Sequence, residues 1–223
     1  YNSAFGLGTL QTNSTGSYNT GTGQQSLYSN TTASYNTASG YRALFGNTTG
    51  SSNVAIGAYA LDVNTTGQLN TAVGYNTLTN QTGDAYNTAV GANSMENTTS
   101  GAFNAALGRL SLHANTTGGN NTATGYGSLA SNTTGHRNTA VGINALYSNT
   151  TASNNVAMGR EALYYNTTGT SNTAIGYNAS KNQTTASNNT TLGYQAQWQV
   201  STGSYNIAIG VEASKSLISG GNN

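Results

Sequence analysis

The chain contains no cysteine, no proline and almost no charge: its 223 residues include six Lys or Arg and five Asp or Glu, for a formal net charge of +1. Without cysteine there is no disulfide framework, and the redox compartment leaves no mark. A near-neutral chain lacks the basic footprint of a nucleic-acid binder, so no nucleic-acid partner is expected. No apolar run approaches the roughly 18–20 residues that cross a bilayer, so no membrane insertion is expected in this segment. Large aliphatic residues are scarce too. Leu, Ile, Val and Phe together number 32, below the level of a packed globule. Disorder would call for a high net charge as well, and that is missing.

What the chain does have is a strict repeat, the first feature to seek in any sequence. Stepping by 17 from Asn2 reaches Asn19, Asn36, Asn53, Asn70, Asn87, Asn104, Asn121, Asn138, Asn155, Asn172, Asn189, Asn206 and Asn223. Four residues after each of the first thirteen stands a glycine, from Gly6 and Gly23 through Gly57, Gly74, Gly91, Gly142, Gly159 and Gly176 to Gly210. Loops ordinarily tolerate insertions, so a register without one means that each repeat stacks directly on its neighbours. Seventeen residues are too few for a pair of helices, and a glycine in every repeat opposes helix in any case. Heptads are absent. One coil of a parallel β-solenoid fits, with two short strands and two turns rising about 4.8 Å per coil, so that thirteen coils make a rod on the order of 60 Å long. The expected fold is therefore all-β, a β-roll of thirteen 17-residue coils forming one array over residues 1–223. Neither end carries a polar capping element, as an isolated solenoid requires, so the array is expected to be a segment of a longer fibre.

The columns of the repeat have separable roles. The third is Ala in all repeats but two, where Gly21 and Thr191 stand, and the eighth is small throughout. These columns suit a narrow interior between two walls. The fourth holds Val73, Val90, Leu107, Val141, Met158, Ile175, Leu192 and Ile209, and the ninth is Leu or Met from Leu10 to Leu163. If the small columns fill the interior, one of these larger columns faces outward as an apolar ribbon many coils long. Such a ribbon exceeds what a soluble monomer usually exposes, and identical rods packed side by side would bury it. Self-association as a parallel homotrimer, another parallel bundle or a filament is expected over a monomer that turns both columns inward.

The Asn column, with Asn36, Asn53, Asn70, Asn87, Asn138, Asn155 and Asn172 as typical members, reads as a structural ladder of stacked amides rather than a row of ligands. The Gly column serves backbone geometry, through positive φ or close approach. In the loop after the second strand each of the first eleven repeats also carries one N-x-S/T sequon, at Asn13, Asn30, Asn47, Asn64, Asn80, Asn97, Asn115, Asn132, Asn149, Asn166 and Asn182. These are candidate N-glycosylation residues, although turn chemistry alone favours Asn, Thr and Gly here and glycans about 4.8 Å apart would crowd.

No catalytic, cofactor or metal site is expected. Asp62, Asp84, Glu96, Glu161, Glu212, His113 and His136 fall in scattered columns without a nucleophile, base and orienting group. Asp62 and Glu96 share a column two coils apart, which reads as solvated charge. Two surface features remain. Tyr recurs in the sixth column (Tyr41, Tyr75, Tyr126, Tyr177, Tyr194) and the last (Tyr18, Tyr35, Tyr86, Tyr205), either for glycan contact or as aromatic ladders. Thr fills much of the second column, from Thr20 and Thr37 to Thr173 and Thr190, and a flat Thr lattice could face ice. Val54, Val156 and Ile207 interrupt it.

The stretches SSNVAIGAYAL (51–61), NTAVGYNTL (70–78) and SYNIAIGVEAS (204–214) resemble the N-S-V-A-I-G-x-x-A head repeats of trimeric autotransporter adhesins. They are also similar to NTAVG-type repeats in tail-fibre proteins of bacteriophages and other large viruses. The resemblance covers all thirteen repeats, but this coil is longer than the adhesin's, with the extra length in the NTT loop. It implies a left-handed parallel β-roll, a parallel homotrimer, an extracellular location on a cell surface or virion, and attachment to a host-surface glycan or receptor. The alternatives are a glycosylated filament of an extracellular sheath or mat, and an ice-binding solenoid. Drift in the last three repeats, where Ser180, Gln197 and Ser214 replace the Leu column, suggests a transition to another region.

Overall fold

The computed structural model describes residues 1–83, 85–199 and 201–214; Asp84, Val200 and the stretch 215–223, which includes Asn223, lie outside it. The chain winds into a parallel β-solenoid. Thirteen three-residue strands, from β1 (Ser3–Phe5) to β13 (Ile207–Ile209), form one sheet in strict sequence order. Every neighbouring pair is parallel and in register at a 17-residue offset, as in Ala140 against Ala157 and Ala157 against Ala174.

The strand is the second to fourth columns of the repeat. Its middle residue points inward and its flanking residues point outward, following the two-residue period of extended backbone. Ala of the third column meets small residues of the eighth column and Leu of the ninth, and these three columns make one continuous core. The two walls nearly touch. A Cβ added at Gly21 would lie 2.5 Å from Thr9 Cγ2 on the facing wall. That spacing explains why almost nothing larger than a methyl group occupies the third column. The drift in the last coils does not end the fold. Ser180 and Gln197 remain buried in the Leu column, and Ser180 Oγ donates to Thr191 Oγ1 at 3.1 Å.

The facing wall departs from the expected second strand. Among the described residues each coil has one strand, and the facing segment is built of turns. The cause is a repeated left-handed backbone. Residues of the seventh, ninth and seventeenth columns have positive φ without being glycine, such as Arg42 (56°), Leu44 (53°) and Tyr35 (63°). Each such residue costs about 1 kcal/mol and persists only where its surroundings over-determine it. Here axial hydrogen bonds do so. Arg42 N–H donates to Gln24 O of the preceding coil, whereas Leu44 N–H donates to Ala60 O of the following one, at 3.0 and 2.9 Å. Alternating backbone handedness turns successive donors down and up the rod, so the wall is laddered without being extended.

The glycine column is needed twice over. Gly91 has φ +129°, and a Cβ there would lie 2.6 Å from the carbonyl carbon and oxygen of Gly108 in the next coil. Both the left-handed region and the close stacking exclude a side chain.

Candidate functional site

The interior carries two asparagine ladders. In the first column each Asn side-chain oxygen accepts the backbone N–H of the Asn one coil on, as from Asn36 to Asn53 (2.9 Å) and from Asn138 to Asn155 (3.0 Å). The same amide donates to the carbonyl of the fifteenth column in its own coil, as in Asn36 Nδ2 to Gly50 O at 2.9 Å. Asn53, Asn70, Asn87, Asn155 and Asn172 occupy equivalent buried positions. The amides thus replace a strand's hydrogen bonds where the chain turns into the sheet, and none of them reaches solvent to act as a ligand.

The twelfth column forms the second ladder, and it contains most of the sequons. Asn30, Asn47, Asn64, Asn115, Asn132, Asn149 and Asn166 are fully buried. Asn47 Nδ2 donates to Asn30 Oδ1 and to Gly50 O, both at 2.9 Å. Both amide protons are committed and the side chain points into the core, so a glycan on these residues is incompatible with the folded coil. Asn13 is the half-buried first member of the same column, and Asn30 donates to its oxygen at 2.8 Å. The folded coil thus seals seven of these candidate glycosylation residues in its core and leaves Asn13 at the end of the column. Asn80, Asn97 and Asn182 stand one residue earlier, in the eleventh column, where Asn80 is exposed and the other two are half-buried. Gln81 and Gln183 follow two of them into the interior. They reach across to the first ladder, accepting from Asn87 Nδ2 (3.1 Å) and Asn189 Nδ2 (3.0 Å). The longer side chain breaks its own ladder. Asn64 Oδ1 and Asn166 Oδ1, each one coil before a Gln, have no hydrogen-bond partner.

The acidic residues do not assemble into a site. Asp62 is held by Arg42 through two hydrogen bonds, Nε to Oδ1 (3.1 Å) and Nη2 to Oδ2 (3.2 Å). Burial still pushes its carboxyl above the ordinary value, outweighing the guanidinium. Glu96 accepts from Asn93 Nδ2 at 2.6 Å and lies 3.5 Å from His113 Nδ1. Glu161 is bound by Lys181 at 2.7 Å, which lowers its pKa. Asp62 and Glu96 therefore turn to different partners and form no carboxylate pair. His136 Nδ1 accepts the Gly119 N–H at 2.9 Å. Among the described residues there is no group of metal-ligating side chains and no cavity. No helix is long and apolar enough to cross a membrane.

Several of the tyrosines stack face to face, whereas Tyr41 and Tyr75 meet Tyr59 edge to face. Tyr18 and Tyr35 lie 5.1 Å apart with planes at 7°, Tyr86 and Phe103 at 5.0 Å and 5°, and Tyr177 and Tyr194 at 5.4 Å and 10°. Rings in such stacks turn their faces to each other, so what they offer to a ligand is mainly ring edges and hydroxyls.

One surface remains with a distinct chemistry. The outward second and fourth columns of the strand wall carry no charged residue in any of the thirteen coils. The fourth column leaves Phe5 77%, Leu107 53% and Ile209 65% exposed. It is flanked by exposed Tyr41, Tyr75 and Ile143 of the sixth column and Tyr35, Leu69 and Phe103 of the last. Thr, Val and Ile suit the pleated strand for its own sake; a charge-free band running the length of the rod is more than the strand requires. No family model, no curated protein and no solved structure matches this chain.

Proposed function

We propose that this chain is a non-enzymatic structural segment of an extracellular attachment fibre, working as a parallel homotrimer whose strand walls face one another. The observation that carries the reading is the charge-free band of the second and fourth columns, with its exposed Leu, Ile and Met residues. At about 4.8 Å per coil the band is on the order of 60 Å long, and an uncharged surface of that extent with many exposed large apolar side chains supports an interface. Closed symmetry lets copies of one chain bury the same band at once. The axial ladders make the rod a stiff spacer, because each coil contacts only its neighbours. Attachment to a host-surface glycan or receptor follows from the repeat's resemblance to adhesin heads and tail fibres.

Native mass spectrometry combined with sedimentation tests the assembly. Three chains per particle, dispersed by a charge placed in the band, is the expected result; a bare monomer at micromolar concentration overturns it. Binding of the assembled rod to an immobilised glycan array tests attachment. The sheath-filament reading needs a continuous row of sugars, and the buried twelfth column removes most of that row. The ice-binding reading needs a uniform lattice, and the fourth column alternates Ser39 and Thr22 with Phe5, Leu107 and Met158.

A further inference from the structure

Of the fifteen N-x-S/T sequons in the chain, eleven stand in the loop after the ninth column, and the coil sorts these eleven into two classes. In seven of the twelfth column the acceptor amide lies in the core and its two protons are used along and across the ladder, as Asn132 Nδ2 shows with Asn115 Oδ1 (2.9 Å) and Gly135 O (3.1 Å), whereas Asn13 at the end donates to Gly16 O (3.0 Å). In the other three the Asn has moved one residue toward the N-terminus, and the neighbouring Gln81, Thr98 or Gln183 fills the core instead. The eleventh column points outward. It also holds Val63 and Tyr165, 38% and 46% exposed, so the coil accommodates bulky groups there. Asn80 is the most open of the three. Its Nδ2 makes one long hydrogen bond, to Asn97 Oδ1 at 3.4 Å, which leaves a second N–H to be replaced. Asn97 Nδ2 donates to His113 O at 3.1 Å and is less free.

We infer that the eleventh column is the N-glycan attachment edge of the folded rod, with Asn80 as its principal acceptor and Asn97 and Asn182 sharing its orientation. The donor class is a lipid-linked oligosaccharyl diphosphate. The Asn80 Nδ2 forms a bond to the anomeric carbon, the carbon–oxygen bond to the diphosphate breaks with its electron pair leaving on the lipid diphosphate, and one amide proton departs. The remaining N–H is enough for the bond to Asn97. The eleventh column lies two residues beyond the Leu column that faces the strand across the core, so a sugar there leaves the charge-free strand band uncovered. This attachment edge is independent of the trimer proposed above, because it would be present on a single rod.

The test is to secrete the whole chain from a eukaryotic cell line and recover the folded, protease-resistant fraction. Glycosidase release in heavy-oxygen water followed by peptide mapping reads the occupancy of each sequon. The expected result is glycan at Asn80 and none at Asn47, Asn64, Asn132 or Asn149. Asn80→Gln should then remove the mass of one glycan with no change in melting temperature. A folded fraction with sugar on any twelfth-column Asn, or with Asn80 bare, overturns the inference. If sugar on the buried sequons holds the chain back in the cell, a variant with Thr32, Thr49, Thr66, Thr117, Thr134, Thr151 and Thr168 changed to Val decides. It disables those sequons, keeps the Asn ladder and leaves Asn80-Gln81-Thr82 intact. Occupied Asn80 in that variant supports the inference, and bare Asn80 overturns it.

Discussion

On the strand wall the outward columns hold Thr, Val, Ile and Leu without one charge, whereas the wall facing it across the core carries Asp62, Glu96, Glu161 and Lys181. The backbone explains part of this contrast. Extended residues of the strand satisfy their hydrogen bonds whatever their side chains, so the outward columns are free to be chosen for what lies outside them. The facing wall is bound by left-handed residues, and its side chains pair along the rod: a residue of the seventh column meets the tenth column of the next coil, as in Arg42 with Asp62 and Glu161 with Lys181. One wall pairs its charges from coil to coil, and the other presents an uncharged surface.

Five substitutions break or sharpen this comparison. The largest effect is expected at the junction of the walls, where Gly91→Ala places a Cβ 2.6 Å from Gly108 backbone atoms at φ +129°. Left-handed strain and overpacking together are worth about 3 kcal/mol or more, and thermal melting should show a collapse in stability. Next comes the ladder. Asn138→Ala strands the Asn155 backbone N–H in the core and leaves the Ala152 carbonyl with the Asn149 amide alone, a loss of about 1–3 kcal/mol for the buried unsatisfied group, read from denaturant midpoints. On the strand wall the outcome should split by observable. Ile175→Lys should change the stability of a single rod by no more than about 0.5 kcal/mol, as surface changes usually do, yet disperse the assembly in sedimentation. Val63→Lys on the facing wall, at an exposed position of the eleventh column, should do neither. The smallest effect is a gain. Leu110 holds φ 60° in the seventh column, where Asn76, Asn93, Asn144 and Asn178 serve elsewhere; Leu110→Asn should raise the melting temperature slightly, since Asn tolerates that backbone better.

Titration separates the charges of the facing wall. The Asp62 pKa is raised from 3.8 by burial, so its contribution to stability is present below 3.8 and is lost as pH rises through the higher folded value. The Glu161 pKa is lowered from 4.5 by the hydrogen bond from Lys181, so its contribution is present above 4.5 and is lost as pH falls through the lower folded value. The two oppose each other across the acidic range. Asp62→Asn should therefore steepen the rise of melting temperature with pH, and Glu161→Gln should flatten or invert it.

Some of this was legible in the side chains alone. Asn and Gly at a strict 17-residue step give the coil and its parallel register, and Ala, small residue and Leu in fixed columns mark the narrow core. Others depended on packing. Nothing in Leu44 or Arg42 as residue types announces a left-handed backbone, because neighbouring coils impose it through hydrogen bonds between atoms 16 to 18 residues apart. Asn47 and Asn80 stand in indistinguishable N-x-T contexts, and only the column each falls in decides which is sealed in the core and which meets water. Tyr18 and Tyr35 read in the sequence either as glycan contacts or as an aromatic ladder, and the coil lays one ring over the other.

The sequence by itself determined the period, the direction of stacking and the residues small enough for the interior, since these depend on side-chain size and on what each backbone position tolerates. The tertiary structure decided which wall is strand, which amides are buried and which charges meet. Those outcomes depend on the neighbouring coil, whose atoms complete most of the hydrogen bonds the local chain leaves open.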